Sequence, residues 1–118
     1  MKVRVERLDQ TTVVIAEGRL DFGAAANFQV QVEQALAGGG KSPAALIIDC
    51  DGLEYISSAG LRVFLLAART AQRCGVAFAV CALHQAVREV FDLSGFSRVM
   101  TVQPDRATAL AQLPGGPA

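Results

Sequence analysis

The sequence has few charged residues, a single histidine and no long apolar run. Lysine and arginine number 11 and aspartate and glutamate number 11, so the formal net charge is zero, and only 19% of residues are charged. Zero net charge argues against a nucleic-acid-binding protein, which needs a basic face to neutralise phosphates. No apolar run reaches the ~18 residues needed to cross a membrane, and the start MKVRVERLDQ lacks the apolar segment of a signal peptide. We therefore predict a cytoplasmic protein without membrane insertion.

Cysteine is also sparse. Cys50, Cys74 and Cys81 form an odd set without a C-x-x-C pair, and each lies in apolar surroundings. A metal site would need more ligands than these, because His84 is the only histidine. We predict three buried, reduced thiols, no metal site and no cofactor.

Residues that could support catalysis are few. His84 is the one available base for a Ser/His/Asp triad, and its position just after a predicted strand favours an exposed loop residue. Asp49, Asp51 and Glu54 cluster at the end of a central strand, where carboxylates can hold Mg²⁺ or act as an acid/base pair. A strand-end acid more often makes loop hydrogen bonds, and residues 40–42 (GKS) lack the first glycine of a phosphate-binding loop. We predict that the protein is not an enzyme.

What the chain does contain is a large apolar fraction. Hydrophobic residues make up 52% of the sequence, which is enough for one compact core. A length of 118 residues is too short for two domains. We assign residues 1–113 to a single domain. Residues 114–118 (PGGPA) are predicted to form a flexible C-terminal tail.

Apolar periodicity predicts five strands and four helices in the order β-β-α-β-α-β-α-β-α. The strands are predicted at residues 3–8, 12–16, 44–50, 76–82 and 98–102, and residues 51–56 are predicted to be a loop. The helices are predicted at residues 21–36, 57–73, 86–93 and 106–113. This alternation is typical of an α/β domain with a small, mixed, mostly parallel sheet, an N-terminal β-hairpin and helices that cover one main face.

The first predicted helix has a regular apolar stripe. Its members recur at helical spacing and are Phe22, Ala25, Phe28, Val32 and Leu36. Such a stripe is typical of a helix that packs one face on the core.

The segment between the third strand and the second helix has unusual chemistry. Ser57 and Ser58 are both plausible N-caps, since a serine oxygen accepts from the free amides of the first helical turn. Ala59 and Gly60 are small and leave the hydroxyls accessible, and Arg62 lies one turn along. A phosphate on a serine here would meet amide donors and the positive end of the helix dipole. The alternative interpretation is a helix cap with no further role.

Residues 46–63 (LIIDCDGLEYISSAGLRV) closely resemble the signature of STAS domains, the family of anti-sigma factor antagonists and their relatives. Residues 18–21 (GRLD) are similar to the family's G-x-[LIF]-D after the second strand, and residues 93–96 (LSGF) match a later feature. The resemblance covers about residues 3–113 and implies a STAS-like fold.

The resemblance also implies a mechanism. An anti-sigma factor that is also a serine kinase would bind the unmodified chain, which frees a sigma factor and so regulates transcription. Phosphorylation at Ser58 would then end the complex, and a serine phosphatase would reset it. Ser57 stands where many members carry Asp, and Ala59 stands where many carry Ser or Thr.

The partner-binding residues implied by the resemblance surround Ser58. Asp21 would lie near Ser58 as in relatives, and its alternative role is to cap the helix that begins near Ala24. The predicted set comprises Asp21, Asp51, Ser57, Ser58, Ala59, Gly60 and Arg62.

Two other functions stay open at this point. One is an accessory subunit of a lipid or anion transporter, in which the same fold docks on an ATPase. The other is a ligand-sensing module that works without phosphorylation.

Overall fold

The computed structural model describes residues 1–113, so the predicted tail at 114–118 lies outside the described residues. The strands are β1 (Lys2–Leu8), β2 (Thr11–Leu20), β3 (Ala45–Ile56), β4 (Ala77–Cys81) and β5 (Thr101–Gln103). The helices are α1 (Phe22–Ala37), α2 (Ser58–Cys74), α3 (Gln85–Leu93), α4 (Phe96–Val99) and α5 (Arg106–Gln112), and a 3₁₀ turn occupies Gly38–Gly40.

The strands form one sheet in the order β1-β2-β3-β4-β5. β1 pairs with β2 antiparallel, as a hairpin, and every later pairing is parallel. The predicted α/β class, the mixed mostly parallel sheet and the N-terminal hairpin are therefore confirmed. The described residues form five helices where about four were predicted, because α4 is an additional short helix.

Most of the core lies on one face of the sheet. α1, α2 and α3 cover this face, where their buried side chains meet those of the central strands. Three aromatic contacts join the helices: ring centroids lie 5.7 Å apart for Phe28 and Phe64, 5.2 Å for Phe64 and Phe91, and 5.9 Å for Phe91 and Phe96. The last two pairs are edge-to-face, a geometry that adds stability beyond burial of area.

The opposite face is covered by α5 alone among the helices that the structure describes, over a smaller apolar cluster that includes Ile47, Cys81 and Ala109. Arg106 of α5 joins two strands, since its Nε donates to Asp49 at 2.8 Å and its Nη1 to Glu6 at 2.9 Å. Partial burial by itself lowers the pKa of the Arg106 guanidinium, but the hydrogen bonds and charges of Asp49 and Glu6 outweigh that effect and raise the pKa. This ion pair fastens α5 to the sheet.

β2 and β3 are longer than predicted. They pair from Thr11 opposite Ala45 to Leu20 opposite Ile56, so the predicted loop at 51–56 is wrong. Aspartate, glycine and glutamate are rare in strands, which is why residues 51–54 (DGLE) predicted a loop. A Cβ on Gly52 would lie 2.8 Å from Glu17 Cγ, so this glycine permits the close pairing at an irregular point of the ladder.

The strand predicted at 98–102 is also partly wrong. Its first half belongs to α4, because Gly95 turns the chain at φ 76° and Arg98 N then donates to the carbonyl of Gly95. Only the segment from Thr101 to Gln103 joins the sheet. A short β-branched run at an exposed turn therefore resembles a strand in sequence without being one.

Candidate functional site

The long pairing of β2 with β3 brings two helix starts together. Parallel strands end at the same edge of a sheet, and Leu20 lies opposite Ile56 at that edge. α1 begins two residues after Leu20, and α2 begins two residues after Ile56. The first turns of α1 and α2 are therefore neighbours, and the candidate site lies between them.

Ser57 connects these two chain ends. Its Oγ donates to the carbonyl of Leu20 at 3.0 Å and accepts from Gly60 N at 3.1 Å, so it is the N-cap of α2. The Ser57 amide also donates to the carbonyl of Leu20 at 2.9 Å. The Ser57 hydroxyl is thus both donor and acceptor, and it holds the first turn of α2 against the end of β2.

Gly60 allows the helix to approach so closely. A Cβ at this position would lie 2.6 Å from Leu20 Cγ and 3.0 Å from the Leu20 carbonyl oxygen. Both Leu20 and Gly60 are buried, so there is no room for the neighbour to move. Gly60 was predicted to shape the turn because it is small, and its close packing against Leu20 requires a glycine here.

Ser58 differs from Ser57 in both exposure and bonding. It is the first residue of α2 and is exposed. Within residues 1–113, its Oγ takes part in no hydrogen bond, whereas the Oγ of Ser57 takes part in two. The two serines that the sequence left equivalent as caps are therefore distinct: one is structural and the other presents a hydroxyl to solvent.

Asp21 occupies the matching position before α1. Its carboxylate accepts from Ala24 N at 2.9 Å, so the cap role weighed as the alternative is present. Asp21 is exposed and directly follows Leu20, whose carbonyl holds Ser57. Asp21 is therefore next in sequence to Leu20, whose carbonyl anchors the start of α2. The second carboxylate oxygen of Asp21 accepts no hydrogen bond within the described residues.

Phe22 is a residue of this surface that sequence reasoning assigned to the core. The other four members of its helical stripe are buried, but Phe22 is 83% exposed. Phe22 is the first residue of α1 and lies beyond the edge of the sheet, so its side chain has no sheet residue to pack against. Its place directly after the helix cap Asp21 was the signal that could have separated it from the stripe.

Arg19 and Tyr55 form a second feature that the motif analysis missed. They lie opposite each other on β2 and β3, one residue before the strands end. The Arg19 guanidinium carbon is 4.2 Å from the centroid of the Tyr55 ring, a cation–π contact at the base of the candidate site. Their sequence separation of 36 residues hid this pairing.

The remaining predicted residues divide between two places. Ala59 is half-buried against the core, and Arg62 is exposed one turn further along α2. Asp51 lies five residues before Ile56 on β3, on the order of 16 Å along an extended strand. Its carboxylate is 3.5 Å from His84 Nε2, and its carbonyl contacts the same ring nitrogen. The structure therefore places Asp51 beside His84, away from the start of α2, and its role in partner binding stays a prediction.

The strand-end acids that were considered for metal or acid/base chemistry have different partners. Asp49 is buried against Arg106 and also accepts from the amide of Asp51, which makes it a structural residue. Among residues 1–113, no group of three or more Cys, His, Asp or Glu side chains could hold a metal ion. His84 is exposed at the start of α3, as predicted.

The cysteines differ in burial. Cys50 and Cys81 are buried as predicted, whereas Cys74 is exposed, so that part of the prediction is wrong. Cys74 is the last residue of α2, beyond the final buried position at Ala71. Burial, together with the nearby Asp49 carboxylate, raises the pKa of Cys81 to about 12, and burial is also the main cause that raises the pKa of Cys50. The buried thiols are therefore unreactive.

None of the helices in residues 1–113 combines the length and the apolar character that crossing a membrane requires.

Comparisons with known proteins identify similar chains. The chain is 32% identical over 111 residues to BtrV of Bordetella bronchiseptica, which is named as a candidate anti-sigma factor antagonist, and the match covers 94% of this chain and 93% of that protein. An anti-sigma factor antagonist from Mycobacterium paratuberculosis has a similar crystal structure, with a TM-score of 0.86, 26% identity and coverage of 95% of this chain and 92% of that one.

A third similar structure is that of the Bacillus cell fate determinant SpoIIAA in its phosphorylated form. Its TM-score is 0.70 at 20% identity, with coverage of 94% of this chain and 98% of that one, so this likeness concerns the fold. The sequence profile of the STAS domain family matches residues 2–109. With nearly all of the described residues inside that match, the chain belongs to the STAS domain family.

Proposed function

We propose that this protein is an anti-sigma factor antagonist. It binds an anti-sigma factor that is also a serine kinase, and this binding frees a sigma factor to direct transcription. Phosphorylation of Ser58 ends the complex, and a serine phosphatase restores the hydroxyl. The protein acts by binding another protein and performs no catalysis itself. The names of the relatives support this function.

The observation that carries the proposal is the difference between the two adjacent serines. Ser57 is held by Leu20 and Gly60, whereas the Ser58 hydroxyl is exposed and takes part in no hydrogen bond within the described residues. A kinase can therefore reach Ser58 without unfolding the first turn of α2. Phosphorylation of Ser57 would require breaking both of its hydrogen bonds, at a cost of about 1 kcal/mol for each.

The phosphorylation step is an ordinary phosphoryl transfer from ATP held by the kinase. Ser58 Oγ attacks the γ-phosphorus, the bond from that phosphorus to the β,γ-bridging oxygen breaks, and ADP leaves. The hydroxyl proton passes to a base of the kinase. The phosphatase later hydrolyses the new ester with water, releasing inorganic phosphate and the serine hydroxyl.

The physical effect of the phosphate follows from its charge. It adds about −1.5 to −2 elementary charges at a surface that the partner must cover. Amide groups of the first helical turn stabilise this charge, so the fold itself need not change. Repulsion and desolvation at the interface then weaken the complex. The phosphorylated form of SpoIIAA supports this reading, since its similar fold is retained with a phosphoryl group.

Asp21 has a second role in the proposal. Its exposed carboxylate lies on the neighbouring helix start and can pair with a basic group of the partner before phosphorylation. After phosphorylation it adds to the negative charge at the same surface. Ala59 and Gly60 shape the turn, and Arg62 borders it.

The test uses purified anti-sigma-factor-type serine kinases encoded in the same genome. We expect one of them to bind the unmodified chain and to transfer a phosphoryl group from ATP, with the modified residue located at Ser58 by mass spectrometry. Ser58→Ala should bind as tightly as the wild type, and Ser58→Asp should bind about tenfold or more weakly. Ser42→Asp, at an exposed serine before β3 on the opposite sheet edge, is the matched control and should bind normally.

Three results would contradict the proposal. The first is equal binding by Ser58→Ala and Ser58→Asp. The second is recovery of a transporter ATPase as the specific partner in place of a kinase, which would indicate the accessory-subunit function. The third is calorimetric binding of a small ligand with no protein partner, which would indicate a sensing module.

A further inference from the structure

A row of arginines runs along α2 in line with Ser58. At 100° per residue, Ser58, Arg62, Arg69 and Arg73 fall within about 60° of arc on the helix surface. All four residues are exposed. The row is about 22 Å long from Ser58 to Arg73 at 1.5 Å per residue. We call Arg62, Arg69 and Arg73 the α2 arginine row.

The positive charge of this row is not neutralised within the described residues. α2 contains three arginines and no aspartate or glutamate. Arg4, Arg88 and Arg106 each pair with a carboxylate, whereas no residue of the row does so within residues 1–113. Arg73 makes one neutral contact, in which its Nη2 donates to Thr70 Oγ1 at 3.2 Å.

The acidic residue on the adjoining helix α1 does not neutralise the α2 arginine row. Glu33 of α1 lines the groove between α1 and α2 together with Leu66 and Thr70. Its carboxylate accepts from Gln29 Nε2 at 3.0 Å on its own helix. The chain as a whole has zero net charge, so the row is a local concentration of positive charge.

We infer that the α2 arginine row is a docking surface for an acidic face of the partner protein. This inference rests on the proposed function, because the row begins one turn from the proposed phosphorylation site. Charge complementarity identifies the partner's chemistry: carboxylates spaced along one face, which arginine binds in bidentate geometry. The length of the row suits one side of an interface of standard size, which buries about 800 Å² per partner.

Nucleic acid fits this surface less well than an acidic protein. Proteins that bind duplex DNA tightly neutralise on the order of 6–10 phosphates, and the row offers three cations on a chain of zero net charge. α1, which packs beside α2, has no lysine or arginine that would extend the row.

The row also gives Ser58 phosphorylation a second effect. Ser58 and Arg62 are four residues apart, so a phosphate on Ser58 lies within reach of the Arg62 guanidinium. The phosphate then withdraws Arg62 from the partner while it repels the partner's carboxylates. Arg73 is 15 residues from Ser58, about 22 Å along the helix and beyond one Debye length, so the phosphate leaves its charge available to the partner.

The experiment compares two triple variants that remove the same charge. Arg62→Gln/Arg69→Gln/Arg73→Gln removes the row, and Lys2→Gln/Arg7→Gln/Lys41→Gln removes three exposed cations outside α2. Binding to the kinase is measured at about 20 mM and about 150 mM NaCl. The row variant should bind about tenfold more weakly at low salt, mainly through a slower association rate, and its salt dependence should be shallower. The control variant should stay within about twofold of the wild type.

A second arm requires no kinase. The full chain labelled with ¹⁵N is titrated with an octaglutamate peptide and, separately, with an eight-residue oligothymidine. We expect the peptide to shift amides of α2 around the row and the row variant to lose these shifts. Shifts scattered over the molecule, peptide binding unchanged in the row variant, or tighter binding to the oligonucleotide than to the peptide would overturn the inference.

The two arms separate this inference from the proposed function. If a kinase binds the row variant as tightly as the wild type, the inference is wrong and the proposed function stands. If no kinase binds the wild type but the peptide maps to the row, the proposed function is wrong and the acidic docking surface stands.

Discussion

The hydroxyl of Ser57 donates to the backbone carbonyl of Leu20 at 3.0 Å, a contact between residues 37 positions apart in the sequence. The same oxygen accepts from the amide of Gly60 and so caps α2. One side chain therefore joins the end of β2 to the first turn of α2. This arrangement leaves Ser58, the next residue, as the hydroxyl that faces solvent.

Replacement of Ser57 by alanine should destabilise the protein. Ser57→Ala removes the N-cap and the bond to Leu20, and the loss of a serine cap costs about 1–2 kcal/mol. Ser58→Ala is the matched control and should change the free energy of unfolding by less than about 0.5 kcal/mol. Urea unfolding followed by circular dichroism measures both values. A loss for Ser58→Ala equal to that for Ser57→Ala would show that the two hydroxyls are not divided as described.

Replacement of Gly60 by alanine should also destabilise the protein, by about 1–3 kcal/mol, because the new Cβ would overlap Leu20 in a packed interior. The control is Gly23→Ala, where a Cβ on α1 would meet no atom closer than 3.6 Å. There the substitution should raise stability by about 0.5–1 kcal/mol, since alanine favours helix over glycine. Thermal unfolding of both variants gives the two signs. A stabilised Gly60→Ala variant would contradict the close packing of α2 on β2.

Phe22 should matter for binding and not for folding. Its ring is 83% exposed beside Asp21, so Phe22→Ala should leave the free energy of unfolding within about 0.5 kcal/mol of the wild type. As an exposed aromatic next to the proposed partner site, it should cost more than about 1 kcal/mol of binding free energy to the kinase.

The matched control for Phe22→Ala is Leu8→Ala. Leu8 is 42% exposed and is the last residue of β1, opposite Thr11 at the other edge of the sheet from Ser58. Titration calorimetry of both variants with the kinase measures the binding free energy. The prediction fails if the two substitutions weaken binding by the same amount.

The buried thiols predict a dependence of stability on alkaline pH. The pKa of Cys81 rises from its ordinary value of 9.0 to about 12 in the folded protein. Between these values the unfolded chain loses the thiol proton and the native protein keeps it, so the free energy of unfolding falls as pH rises. The contribution is fully present below pH 9.0 and declines by up to about 1.4 kcal/mol per pH unit above it.

Urea unfolding at about pH 8 and about pH 10 tests this dependence, with Cys81→Ala as the comparison that isolates the thiol from the other groups titrating there. The wild type should lose more stability than the variant over this interval. Equal pH dependence of stability in the wild type and in Cys81→Ala would rule out the raised pKa of Cys81.

The difference in burial also predicts a difference in thiol reactivity. A thiol reagent at neutral pH should modify Cys74 rapidly and leave Cys50 and Cys81 until the protein unfolds.

The order of strands and helices was predictable because local patterns specify it. Runs such as residues 44–50 are long enough and apolar enough to identify buried strands, and the glycines after α1 and α2 mark where those helices end. The short segment with two serines before α2 also identified the candidate site, since helix caps have a local chemical signature. The family resemblance depended on the same residues.

Only the tertiary structure distinguishes residues that the local patterns treat alike. Phe22 and Phe28 occupy the same helical stripe, yet only Phe28 reaches the core, because Phe22 lies beyond the edge of the sheet. Asp51 is close to the serines in sequence, yet the extension of β3 carries it to His84.

Ser57 and Ser58 are the sharpest case. As a sequence, the chain determined that a serine would cap α2 and that another would stand beside it. Which of them is bound and which is exposed depends on the carbonyl of Leu20, which the parallel pairing of β2 with β3 brings to the start of α2. No local pattern contains a contact made across 37 residues, and this contact leaves the Ser58 hydroxyl exposed to solvent.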